Sequence, residues 1–185
     1  MEPGHISAAV LAGGYSSRMG RDKALLEMGG QTLLQIQVFR LQRLGIGEIL
    51  LSGTSCSVQG ARNVADRYPH RGPVSGIHAC MLAAAFPALL VVSVDVPLIP
   101  DEALRSLILA HDGGITVLEH AGRAEPLMAV YDRSLAGEAE RILQSERTAV
   151  TRLFEASPPR LCPYRGDERL LAGCNTPEEF ARILK

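Results

Sequence analysis

Two stretches of this chain carry the residue types needed to hold and cleave a polyphosphate. The first runs Leu11-Ala12-Gly13-Gly14-Tyr15-Ser16-Ser17-Arg18-Met19-Gly20-Arg21-Asp22-Lys23. It is neither G-x-x-x-x-G-K-[ST] nor G-x-G-x-x-G. Gly13 and Gly14 permit backbone angles and close approaches that a Cβ would block. Backbone N–H groups exposed there can cradle phosphate oxygens. Arg18 offers a planar fork to phosphate and Lys23 a movable point charge, so both can offset charge on a triphosphate as it is cleaved. A Gly-Gly pair alone is more simply a strand-to-helix turn with solvated basic neighbours. Arg18, Gly20 and Lys23 at these spacings favour phosphate.

The second stretch is Val94-Asp95-Val96-Pro97. The carboxylate of Asp95 is a hard oxygen donor suited to Mg2+, which takes one or two protein carboxylates plus substrate phosphates and water. Taken alone, Asp95 is as readily the cap of a turn before Pro97. A shared sheet edge with Lys23 favours the metal.

The surrounding pattern supplies that edge. Ile6 to Ala12 is a compact apolar run ending in two glycines, as a buried strand would. From Thr32 to Leu44, the residues Leu33, Leu34, Val38, Leu41 and Leu44 keep helical spacing, and Gly45 is a natural stop. Glu48 to Leu51 reads as a short strand. Ser75 is placed to cap a helix through Ile77, Met81, Leu82 and Ala85. Ala88 to Val94 is the most strand-like run and ends at Asp95. Asp101 follows Pro100 and is placed to cap a helix through Leu104, Leu107 and Ile108. Gly114 to Leu118 and Pro126 to Tyr131 read as strands, and Arg133 to Leu143 as a helix. Ser157 to Asp167 has no clear pattern. Thr176-Pro177-Glu178-Glu179 is a capping box with Pro at the first helical position.

Strands that are continuously apolar and alternate with helices predict an α/β fold, with a mostly parallel sheet and helices on both faces. No repeat, low-complexity tract or long linker divides the chain, so residues 1–185 read as a single domain. Ligands of such sheets bind beyond the carboxyl ends of the strands, where both stretches fall.

Composition narrows the partners. The 185 residues are 46% hydrophobic, enough for one sizeable core, and carry a formal net charge of -1. No global field draws the chain to nucleic acid or to an anionic membrane. Its longest apolar runs are about half of a membrane span, and residues 1–7 lack the pattern of a secretory leader. Cys56, Cys80, Cys162 and Cys174 form no C-x-x-C or zinc spacing and read as reduced, buried thiols of a cytoplasmic protein. His5, His70, His78, His111 and His120 show no ligand spacing.

The L-A-G-G-x-x-x-R-M-G-x-D-K stretch from Leu11 to Lys23 resembles the NTP-transferase superfamily, and within it the molybdenum cofactor guanylyltransferases (MobA-like). Arg71-Gly72-Pro73-Val74-Ser75-Gly76-Ile77, Val94 to Pro100 and Asn175-Thr176-Pro177-Glu178-Glu179 resemble three further family elements in the family's order. Gly14 and the G-P-V-S-G stretch resemble the guanylyl rather than the cytidylyl branch. The resemblance implies a Rossmann-like nucleotidyltransferase fold, with GTP and molybdopterin (as the molybdenum cofactor) as substrates. Leu11, Ala12 and Gly13, with Gly14, would line the nucleotide through their backbone. Lys23 and Arg18 would meet phosphates. Asp66 would contact GTP, and Asp95 would hold Mg2+ as the cofactor. Molybdoenzymes or their chaperones would be transient protein partners. This chain departs from the family at Gly173, where N-x-N-T-P has its first Asn, and at Ser52, where the family often has Asn. The first departure removes an oxygen near the metal or acceptor; the second leaves a side chain that reaches the nucleotide only through water. Asn175 remains as the second Asn of that element.

The implied reaction is attack of the acceptor's phosphate oxygen on the α-phosphorus of the NTP, with pyrophosphate leaving. A phosphate monoester is already ionised near neutrality, so no strong general base is required. Two other readings stay open at this stage. One is a relative that uses CTP or activates a sugar phosphate. The other is a nucleotide-binding paralogue without catalysis.

Overall fold

A computed structural model of the chain describes residues 1–13 and 22–184. In chain order its regular elements are β1 (Ser7–Leu11), β2 (Glu27–Met28), β3 (Gln31–Thr32), α1 (Leu33–Arg43), β4 (Glu48–Ser52), β5 (Arg62–Val64) and α2 (Pro73–Ala83). Then come β6 (Ala88–Ser93), α3 (Asp101–Ala110), β7 (Ile115–His120), β8 (Arg123–Asp132), α4 (Ala136–Gln144), α5 (Leu153–Ala156), β9 (Arg160–Pro163) and α6 (Pro177–Ile183). Among the described residues seven strands form one sheet in the order β5-β4-β1-β6-β8-β7-β9, and β2 and β3 form a small hairpin apart from it. The pairs β1–β4, β1–β6, β4–β5 and β7–β9 are parallel, while β8 runs antiparallel to β6 and β7. The sheet is therefore mostly parallel.

The apolar run of β1 is buried on both sides because the sheet is covered on both faces. Ala8 and Val10 pack into one core with Leu90 and Val92 of β6, beneath α1 and α3. Ala9 and Leu11 pack into the other with Leu89 and Val91, beneath α2 and α4. Truncating any one of these leucines to Ala would cost about 2–5 kcal/mol. Helix α1 opens with a capping box in which Thr32 and Gln35 exchange backbone and side-chain bonds. It stops before Gly45, which adopts φ 77°.

Four expectations need correction. Ser75 does not cap α2: the helix starts at Pro73 with Gly72 as its cap, and the Ser75 hydroxyl donates to the carbonyl of Tyr68 at 2.6 Å. Proline fixes the φ of a first helical residue, so Pro73 sets the start. Asp101 does not cap α3 either: it is the first helical residue, after Pro100. Its carboxylate pairs with Arg40 and Arg43 instead. The strand expected to begin at Pro126 begins at Arg123, and its pairing shifts register across from Val117 and Leu118. The patternless stretch holds an edge strand, β9.

Candidate functional site

Three parallel strands end side by side. Leu11 is in register with Ser52 of β4 and with Ser93 of β6. Beyond those ends the backbone stays paired: Ala12 N–H donates to Ser52 O at 2.9 Å, and Val94 N–H donates to Leu11 O at 3.1 Å. This edge brings distant residues together. Lys23 Nζ lies 3.2 Å from Asp95 Oδ2 and donates to Asn175 Oδ1 at 2.7 Å. The side chains of Lys23 and Asp95 remain 17% and 21% exposed, so a solute can reach them.

Each member of this trio is held from outside it. Lys23 opens a 3-10 turn, Lys23–Leu25, capped by the Asp22 carboxylate, which accepts from Ala24 N–H at 3.0 Å. Asp95 Oδ1 accepts from the Ser93 hydroxyl at 2.5 Å, which fixes the carboxylate's rotation. Asp95 O accepts from Cys174 N–H at 2.8 Å, tying the C-terminal segment to the end of β6. Asn175 precedes the capping box of α6, where Glu179 Oε2 accepts from both Asn175 N–H at 2.7 Å and Thr176 N–H at 3.2 Å. The capping box legible in the sequence thus positions a site residue as well as starting a helix.

A cleft of about 960 Å³ opens beside the trio, lined among others by Leu11, Gly13, Ser52, Asp66, Gly76 and Ser93. That volume suits a nucleotide-sized ligand. Inside it the Ser52 hydroxyl donates to Asp66 Oδ1 at 2.8 Å. Glycines shape its floor. Gly53 has φ 77°, and a Cβ there would stand 2.5 Å from Gly13 N. A Cβ on Gly76 would run into the Ser52 hydroxyl and lie 3.1 Å from Leu11 Cδ2, so α2 can come this close only without a side chain at that position.

Cys80 and Cys174 are inert, while Cys56, expected to be buried, is only partly so. Burial, with the Asp95 charge adding to it, pushes the Cys174 thiol up to about 11, and burial chiefly pushes Cys80 up to about 12. Both remain protonated at neutral pH and poor nucleophiles. His78 is 1% exposed, and its ring nitrogens have no hydrogen-bond partner among the described residues.

Of the sequence-predicted residues, Lys23, Asp95 and Asn175 meet directly, and Leu11, Gly13, Ser52 and Asp66 line the adjoining cleft. Ala12 is buried next to them, with its N–H committed to Ser52 O. Gly14 and Arg18 lie outside the described residues. Arg71, in the family-like stretch before α2, is engaged by the carbonyls of Leu143 and Ser145 at the end of α4, to which it donates. Gly173 clears space: a Cβ there would stand 3.1 Å from Asn175 Nδ2. Ser93 and Gly53 escaped the sequence reading. Ser93 carries the weak signal of a hydroxyl two residues before Asp95, and Gly53 that of a glycine closing a strand.

Among the described residues no three His, Cys, Asp or Glu side chains cluster as a metal cage. The oxygens of Asp95 and Asn175 do form a hard donor pair, and the Lys23 ammonium already sits as a cation against both. A carboxylate with an amide oxygen is the kind of sparse protein ligation that Mg2+ accepts when phosphates and water complete its shell.

Taken together, the sheet, the glycine-floored cleft and the Lys23–Asp95 pair at the strand ends define an α/β protein of the nucleotidyltransferase class. The chain belongs to the MobA-like NTP transferase family, whose domain profile matches residues 8–160. A relative from Pelotomaculum thermopropionicum, described as a probable molybdenum cofactor guanylyltransferase, is 34% identical over 95% of this chain and 90% of its own length. The molybdenum cofactor guanylyltransferase of Xanthomonas euvesicatoria pv. vesicatoria is 33% identical over 96% of this chain and 94% of its own. The structure of molybdopterin-guanine dinucleotide biosynthesis protein A from Archaeoglobus fulgidus superposes with a TM-score of 0.79 at 22% identity, covering 95% of each chain. No helix among the described residues is long and apolar enough to cross a membrane.

Proposed function

We propose that this chain is a molybdenum cofactor guanylyltransferase, which moves GMP from GTP onto the phosphate of molybdopterin carrying molybdenum and releases pyrophosphate. The observation that carries the proposal is the meeting of Lys23, Asp95 and Asn175 beside the cleft. The names of the full-length relatives support the choice of substrates.

In the reaction an acceptor phosphate oxygen forms a bond to the α-phosphorus of GTP, and the bond from that phosphorus to the bridging oxygen of the β-phosphate breaks. The electron pair leaves with pyrophosphate. The attacking oxygen is already ionised, so the chain need not remove a proton. The obstacle is the approach of two anions, and the remedy is positioning and positive charge. Lys23 turns its ammonium from Asp95 and Asn175 onto the phosphates. Asp66, oriented by Ser52, faces the nucleotide within the cleft. Asp95 and Asn175 are the residues that would hold Mg2+, which supplies charge neutralisation between the two phosphate groups. The Ser93 hydroxyl keeps the Asp95 carboxylate turned to the site.

The test is pyrophosphate release with each NTP and Mg2+, with and without molybdopterin carrying molybdenum. Release with GTP that requires acceptor and metal is expected. Turnover with CTP alone would overturn the base assignment, and GTP binding without pyrophosphate release would make the chain a non-catalytic nucleotide binder.

A further inference from the structure

The segment that carries Asp95 is gripped from beneath by two polar side chains of α1 that have no evident reason to be buried. Gln37 is 0% exposed and Arg40 8%. Both lie on the face of α1 that also buries Leu33, Leu34 and Leu41. A buried amide and a buried guanidinium are expensive unless fully paired, and an apolar pair of the same size would be cheaper in a core. Their bonds converge on one place. Gln37 Nε2 donates to Ser93 O at 3.1 Å and to Val96 O at 2.9 Å. Arg40 Nη2 donates to Pro97 O at 2.7 Å, while its Nη1 donates to Gln37 Oε1 at 2.8 Å. Arg40 is balanced in turn by Asp101, whose Oδ1 lies 3.3 Å from Arg40 Nε.

The carbonyls of Ser93, Val96 and Pro97 are therefore pinned from α1, and that of Asp95 is pinned from the other side by Cys174. Buried carbonyls of a turn need partners in any fold, and one local donor or water can satisfy each. Here instead a single amide joins the two ends of the Ser93–Val96 arc, so the arc cannot open or twist without breaking a buried bond. A guanidinium extends the grip by one residue.

We propose that Gln37 and Arg40 are positioning residues for Asp95, holding its backbone so that the carboxylate stays aimed at the divalent ion while the phosphates arrive. The inference rests on the reading of Asp95 given above. Val94 and Val96 anchor the arc in the apolar core around α1, and the polar contacts fix the orientation of the peptide groups between them. Groups that orient a metal ligand from behind typically govern metal affinity or activity by about 10–100-fold.

The experiment is a titration of Mn2+, followed by electron paramagnetic resonance, into the protein holding α,β-methylene GTP, which cannot turn over. Gln37→Met keeps the side chain's bulk and removes every bond of the amide; it should raise the Kd for Mn2+ about 10-fold or more. Arg40→Lys keeps the charge opposite Asp101 and loses the fork, giving a smaller rise in the same direction. Ile142→Ala, a core truncation in α4 beneath the opposite sheet face, supplies matched thermal destabilisation and should leave the Kd within about 2-fold. If Gln37→Met does not fold, Arg40→Lys carries the test. Unchanged Mn2+ binding in the α1 variants, or equal weakening by Ile142→Ala, overturns the inference. If the parent itself binds no Mn2+, or Asp95→Asn binds it equally well, the metal-holding role of Asp95 falls first, and the result is visible before any α1 variant is measured.

Discussion

The crossing of the chain at Gly13 and Gly53 permits a prediction that separates two physical costs. Gly45 and Gly53 share φ 77°, but a Cβ on Gly45 meets nothing within 4 Å. Gly13 lacks a positive φ, yet a Cβ there would stand 2.9 Å from Gly53 Cα. A Cβ on Gly53 would suffer both strain and overlap, standing 2.5 Å from Gly13 N. Holding an alanine in the left-handed region costs about 1–2 kcal/mol, of which about 0.4–1 is returned by the stiffer unfolded chain. Gly45→Ala should therefore cost about 1 kcal/mol, or roughly 2–4 °C in Tm for a chain of this length. Gly13→Ala meets backbone, which cannot rotate aside, so an overpacking cost of about 1–3 kcal/mol applies. Gly53→Ala adds the two and should lose about 2–4 kcal/mol, or roughly 4–16 °C.

Function discriminates further. Gly13 and Gly53 line the cleft and Gly45 does not. Forcing the two loops apart widens the floor of the proposed nucleotide cleft. Each 1.4 kcal/mol of misfit lowers affinity about tenfold, so GTP should bind several-fold more weakly to Gly13→Ala and Gly53→Ala and normally to Gly45→Ala. Differential scanning calorimetry gives the stabilities and isothermal titration with GTP the affinities. A Gly53→Ala protein as stable as Gly45→Ala, or one that binds GTP as tightly as the parent, would refute the close-approach argument.

Three further outcomes are expected. Lys23→Ala and Asp95→Ala should end pyrophosphate release while lowering Tm by no more than roughly 2–8 °C, because a partly exposed pair with one added hydrogen bond contributes only about 1–2 kcal/mol. Ser52→Ala removes the hydroxyl that orients Asp66 and should raise the KM for GTP about tenfold or less, with kcat nearly unchanged, in steady-state assays. Burial lowers the His78 pKa, with Glu140 opposing and Arg67 adding to the shift. The folded protein thus keeps the ring neutral where the unfolded chain protonates it. Stability is complete above the ordinary histidine range, about pH 6.5, and is lost as pH falls below it. A calorimetric series from pH 7.5 to 5 should show a shallower fall in Tm for His78→Leu than for the parent.

What could be read from the sequence follows how locally each feature is determined. β1 and β6 were legible because strands buried on both faces have nearly uninterrupted apolar composition. The α6 capping box was legible because its partners are three residues apart. The starts of α2 and α3 were not, since Ser75 and Asp101 are good caps whose side chains have better partners elsewhere, in Tyr68 O and in Arg40 with Arg43. Short edge strands such as β5 and β9 carry too few residues for a period to emerge. The site combines both cases. Lys23, Asp95 and Asn175 were suggested separately by type and motif, but their meeting depends on β1 and β6 being neighbours and on Cys174 bonding back to Asp95. Gln37 and Arg40 show the limit most clearly. They interrupt the apolar stripe of α1 and so look, in one dimension, like lapses in a core helix. Only the fold reveals that they reach the carbonyls of Ser93, Val96 and Pro97 around Asp95.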